Sequence, residues 1–116
     1  PTGNILTVKD YGSFFRILYN SSYLNNQMSE KALSLLTKTT FNKGLVAGIP
    51  QNVTIAHKFG ERRYLKTGEH QLHDCGIVYN DKKPYMICIM TRGNNFEKLE
   101  NTIKEISKTI YNNISL

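Results

Sequence analysis

The sequence predicts an α+β fold. Two helices and a short helical turn lead into a three-stranded antiparallel sheet, which a long C-terminal helix covers. Two observations predict it. Apolar residues recur at helical spacing before Pro50, alternate after it, and return to helical spacing from Phe96. The turn joining the last two strand candidates is short, which makes them antiparallel neighbours.

Thr7 suits an N-cap, with Asp10 three residues on. Val8, Tyr11, Phe14, Phe15, Leu18 and Tyr19 then repeat at helical spacing, so a helix is expected from Val8 to Tyr19, ended by Asn20-Ser21-Ser22. A second helix is expected with Ser29 as N-cap and Met28 as a staple. Ala32, Leu33, Leu35 and Leu36 form its apolar face, and it ends near Thr37–Thr40. Phe41 to Pro50 reads as a short helical or turn segment.

Val53 to Phe59 alternates and is β-rich, a first strand. Gly60 to His70 is polar and reads as a loop, Leu72 to Tyr79 as a second strand, and Asn80–Lys83 as a turn. Tyr85 to Thr91 is almost continuously apolar and is expected to be buried on both faces. Phe96, Leu99, Ile103, Ile106, Ile110 and Ile114 then trace one stripe of a long amphipathic helix. The sheet has two apolar faces and this helix covers one. The helical first half either covers the other or belongs to a different lobe.

The 116 residues fit a single or partial domain, with 1–50 helical and 51–116 carrying the strands and last helix. Apolar residues make up 40%, enough for a modest core, and the 21% charged content argues against disorder. No apolar run approaches the roughly 18–20 residues that a membrane span needs. The net charge of +6 suits an anionic partner, and its densest cluster is Arg62-Arg63 with Lys66. This leaves one rival reading, a non-catalytic basic module that binds an anionic polymer. Lys and Arg are otherwise dispersed, and no nucleic-acid partner is expected.

Two lysine triplets stand eight residues apart: Lys58-Phe59-Gly60 and Lys66-Thr67-Gly68. What surrounds them discriminates. Gly44–Pro50 reads GLVAGIP, and Lys58-Phe59-Gly60 begins eight positions after Pro50. His73–Tyr79 reads HDCGIVY, Pro84–Gly93 reads PYMICIMTRG, and the long helix follows. This order resembles the C-terminal part of the penicillin-recognising serine hydrolases, the class A β-lactamase-like group. There a Gly-Leu-Pro-like turn precedes a strand carrying Lys-Thr-Gly, followed by an Asn-Asp-Ile-Ala-Val-like strand, a Pro-led apolar strand and a terminal helix. The two helices from Val8 and near Lys31 resemble the two that precede these elements in that group. The resemblance spans nearly all of this chain but only about the latter half of such an enzyme. By position Lys58-Phe59-Gly60 is the match, at a strand end, and the literal Lys66-Thr67-Gly68 is a decoy in the following loop.

The resemblance implies a β-lactam or acyl-D-Ala-D-Ala substrate and an extracytoplasmic location, with no cofactor. It implies substrate-binding roles for four residues. Lys58 places an ammonium beside the nucleophile and the anionic end of the substrate. Gly60 allows close approach, and the Glu61 N–H forms part of an oxyanion hole. Phe59 departs from the pattern, because it has no hydroxyl to offer a carboxylate.

The nucleophile of such enzymes needs Ser-x-x-Lys, one helical turn apart. Ser29-Glu30-Lys31 has the wrong spacing, Ser34 to Thr37 ends without lysine, and Ser13 to Arg16 ends in arginine. No catalytic residue is therefore expected in this chain. It is expected to be a C-terminal fragment whose nucleophile lies upstream, inactive alone, with a degenerate relative of the group as the alternative. An exposed sheet surface would then favour a homodimer.

A metal reading rests on His70, His73 and Cys75, with Asp74 and His57 nearby, but the spacing matches no standard zinc module, and no metal is expected. Cys75 and Cys88 would face each other across a hairpin about Asn80–Lys83. Two reduced core thiols are expected, with a cross-strand disulfide as the alternative.

Overall fold

The computed structural model describes residues 5–115. Helix α1 spans Val8–Tyr19. Thr7 and Asp10 close its first turn reciprocally, with the Asp10 N–H donating to Thr7 Oγ1 at 3.0 Å. Helix α2 runs Asn26–Leu36 and starts earlier than its sequence suggested. Its cap is Asn25, whose Oδ1 accepts the Met28 N–H at 2.8 Å. Ser29 is instead buried within the helix and donates to the Leu24 carbonyl. Two polar residues four apart can each serve as a cap, and packing of the first turn chose the earlier one.

Strands β1 (Ile55–Arg63), β2 (His70–Val78) and β3 (Tyr85–Gly93) follow, and helix α3 (Phe96–Ile114) closes the chain. The sheet is antiparallel throughout, in the order β1-β2-β3. A 3₁₀ turn, Val46–Gly48, lies against α3 before β1.

Both sheet faces are covered. On one, Ile55, Leu72, Val78 and Ile87 pack with Leu45, Ile49, Leu99 and Ile103 under α3. On the other, Ala56, Cys75 and Ile77 pack with Phe15 of α1 and Leu33 of α2. The first half of the chain thus supplies the second cover.

Three expectations are corrected. First, β1 extends through Arg63, so the loop shrinks to a turn from Tyr64 to Glu69. The Tyr64 N–H donates to the Glu69 carbonyl at 2.8 Å, and Gly68 takes φ +74°, which glycine adopts at no steric cost. Polar residues persist in this strand because it lies at the sheet edge. Second, β3 is the other edge, and among its residues only Ile87 is fully buried. Third, Cys75 and Cys88 form a disulfide rather than two free thiols. They are directly opposed in the register, with Cα atoms 4.0 Å apart, the close-approach type of antiparallel pair.

Candidate functional site

Lys58, Phe59, Gly60 and Glu61 lie in the middle of β1, not at its end. Their surroundings follow from the strand's parity. At one end of the β1–β2 ladder the Tyr79 N–H donates to the Thr54 carbonyl, and at the other the Tyr64 N–H donates to Glu69. Even-numbered residues of β1 therefore bond to β2, and odd-numbered ones turn their backbone groups to the open edge. Two of those outward carbonyls are engaged. Thr39 Oγ1 donates to the His57 carbonyl at 2.7 Å, and Lys58 Nζ donates to the Phe59 carbonyl at 2.6 Å. By the same alternation the Glu61 N–H points outward, on the edge where the Lys58 ammonium sits.

Side chains alternate too. Phe59 shares the α3 face with Ile55 and stacks on Phe41, ring centroids 4.1 Å apart and planes at 16°. The Lys58 ammonium lies 5.0 Å from the Phe59 ring centroid, within cation–π range. The position where the resembled pattern has a hydroxyl is thus filled by an aromatic ring stacked on Phe41.

Gly60 shares the opposite face with His73, its register partner. A Cβ at Gly60 would land on the His73 imidazole, so a larger residue at the third place of the triplet would have to displace that ring. His73 also meets the Tyr11 ring edge-on at 4.8 Å. Burial holds the His73 imidazole below its ordinary range, with the Lys58 charge pushing the same way and Asp74 opposing. Burial also raises the Tyr11 hydroxyl, and Asp74 adds to it. One end of this face opens into a groove whose polar lining includes His73, Gln71, Arg62 and Arg92.

Beneath the strand lies a group that sequence reading placed in a metal cluster. His57 Nδ1 is 2.8 Å from Asp74 Oδ1, with side chains 2% and 0% exposed. Asp74 Oδ2 accepts the Leu45 N–H at 3.0 Å, and Ser107 Oγ donates to the Leu45 carbonyl at 2.8 Å. Gly44 is required beside this contact, since a Cβ there would lie 2.5 Å from Asp74 Oδ2.

The proposed metal ligands are dispersed. Cys75 is in the disulfide, His57 is paired with Asp74, and His73 and Asp74 point to opposite faces of β2. His70 caps the Gly68 carbonyl at 2.9 Å and packs on Phe96. Among the described residues no three His, Cys, Asp or Glu side chains converge on a metal position. Lys66-Thr67-Gly68 occupies the β1–β2 turn, away from the ladder. Sequence reading missed Phe41, Thr39 and the His57–Asp74 pair. The one available signal was His57 directly before Lys58.

Comparison with known proteins gives a consistent answer. A family model described as "Beta-lactamase enzyme family" matches residues 1–114. The structure of PBP-A superposes with TM-score 0.77 at 20% identity, covering 91% of this chain and 38% of that one. A beta-lactamase from Chitinophaga pinensis DSM 2588 superposes with TM-score 0.80 at 22% identity, covering 89% and 40%. A PBP-A mutant solved as an acyl-enzyme complex with penicillin G gives 0.74 at 19% identity, covering 91% and 39%. The chain therefore spans about two fifths of the length of these structures. Curated proteins provide no match.

Proposed function

Because this chain belongs to the beta-lactamase enzyme family, we propose that it is the substrate-binding, sheet-and-helix part of a serine hydrolase acting on β-lactams or D-Ala-D-Ala-type amides. The observation that carries this reading is the open edge of β1. There the Glu61 N–H faces outward and the Lys58 ammonium sits at the same edge, held to the Phe59 carbonyl. A free outward N–H on a strand that a ladder holds, with a cation nearby, forms a preorganised receptor for the developing oxyanion and the anionic end of an acyl substrate. Gly60 leaves the space that the His73 imidazole occupies.

In this reading Ser and Lys of the nucleophile pair come from polypeptide upstream, and the chain alone forms no acyl-enzyme. Phe59 leaves the substrate carboxylate without a hydroxyl donor, so Lys58 carries that contact alone. The disulfide supports an extracytoplasmic location, where oxidising conditions keep such bonds. The open edge of β3 and its exposed Met86 favour pairing, either with upstream chain or with a second copy.

The experiment is intact mass spectrometry of the longer encoded protein after incubation with penicillin. An adduct mapping to an upstream serine supports the reading, and its absence despite an upstream Ser-x-x-Lys counts against it.

A second reading keeps the basic module for an anionic polymer. Arg62 and Arg92 flank Gln71 in register, and neither forms an ion pair among the described residues. Polymer affinity that falls steeply with salt would favour it.

A further inference from the structure

We propose that Asp74 and His57 are positioning residues for Lys58. They form a buried hydrogen-bonded tie that fixes the edge strand at the residue immediately before the lysine. This rests on the reading of Lys58 given above.

An edge strand is weakly held. β1 is held by a ladder on one side only, so the placement of Lys58 and of the Glu61 N–H needs a second anchor. That anchor is His57. Its imidazole is tied to Asp74, and its carbonyl accepts from Thr39 on the open side. The other Asp74 oxygen holds the Leu45 N–H, and Ser107 of α3 holds the Leu45 carbonyl. The edge strand, the turn before it and the central strand thus meet at one carboxylate, and the covering helix joins them through Leu45.

Leu45, Asp74 and Ser107 are each 0% exposed, and His57 is 1% exposed. A buried carboxylate with an ionisable partner is tolerated only where its lone pairs are satisfied. A fold that needed packing alone would place apolar side chains here, as it does at Ile55 and Val78 on the same face. The tie is directional instead, and the direction it sets is that of the site strand.

The test uses the ¹⁵N-labelled chain as wild type, His57→Leu, His57→Asn, Asp74→Asn and Lys58→Met. In His57→Asn the side-chain amide nitrogen takes the place of Nδ1 and keeps a donor to Asp74. A positioning role predicts that His57→Leu and Asp74→Asn speed hydrogen exchange at the Lys58 and Gly60 amides about tenfold more than at β3 amides. His57→Asn should restore most of the protection. Equal acceleration over all three strands, without rescue, shows a merely structural role and overturns the proposal.

Titration with benzylpenicillin separates this inference from the reading beneath it. If the resonances of residues 58–61 shift no more in wild type than in Lys58→Met, the site reading fails whatever the exchange shows. If they do shift, affinity about tenfold weaker in His57→Leu and regained in His57→Asn supports the positioning role. Unchanged affinity in His57→Leu overturns it. Should Asp74→Asn fail to fold, the two His57 variants carry the test.

Discussion

The two faces of the sheet solve different problems. Under α3 the core is continuous, and it encloses a hydrogen-bonded network of His57, Asp74, Leu45 and Ser107. Under α1 and α2 the core is shorter. Phe15, Leu33, Ala56 and Ile77 cluster at one end, and the other end opens into the groove of His73, Gln71, Arg62 and Arg92. One face is built for stability. The other leaves a groove open beside the candidate site. Substitutions should therefore cost more on the first face than on the second.

The largest effect is expected at that network. Asp74→Ala strands the His57 imidazole and the Leu45 N–H in the interior, and should destabilise by about 3–5 kcal/mol or prevent folding, read by urea unfolding. A loss below about 1 kcal/mol, the median worth of an exposed pair, would mean that water reaches the pair and the contrast between faces is wrong.

Next comes a paired comparison. Ile103, wholly buried under α3, should lose about 2–5 kcal/mol on truncation to Ala. Met90, in the groove, should lose under about 1 kcal/mol. Equal losses would erase the distinction.

Reduction of Cys75–Cys88 opens a loop with sequence separation 13, and should lower stability by roughly 3 kcal/mol in the chain-entropy account. Thermal melts with and without reductant, with thiols counted by mass, give the answer.

A smaller and directional effect concerns His73. Its folded value lies below the ordinary 6.5, so the unfolded chain binds the proton more readily. Stability from this group is complete above that value and falls as the pH drops through it. His73→Gln should therefore lose less stability than wild type between about pH 7 and pH 5, the ordinary imidazole range. Parallel curves would show that the ring is freely solvated.

The smallest change is expected at Tyr85, where burial, then Tyr111, push the hydroxyl up to about 12 and no partner receives it. Tyr85→Phe should leave the melting temperature unchanged or raise it slightly, since an unsatisfied hydroxyl costs about 1–3 kcal/mol when fully desolvated. A clear loss would reveal a partner for the hydroxyl.

The order of these elements was legible because its signals are local. Thr7 with Asp10, and the Phe96–Ile114 stripe, involve residues three or four apart, and α1 and α3 have the limits that those signals mark. The motif words from Gly44 to Gly93 led to the same family and fold that the comparisons show. The length of β1 was not legible, because Arg62 and Arg63 are strand residues only by pairing with Gln71 and His70. Nor was the role of Asp74, which composition placed among metal ligands.

What the sequence determined by itself was therefore a set of short-range facts: which segments coil, which extend and where they turn. The tertiary structure alone decided the disulfide across 13 residues, the His57–Asp74 pair across 17, and the hold of Asp74 on Leu45 across 29. These depend on strand register, and a slip of one residue would turn every such side chain to the opposite face. The outward direction of the Glu61 N–H has the same origin, since it follows from which residues of β1 bond to β2.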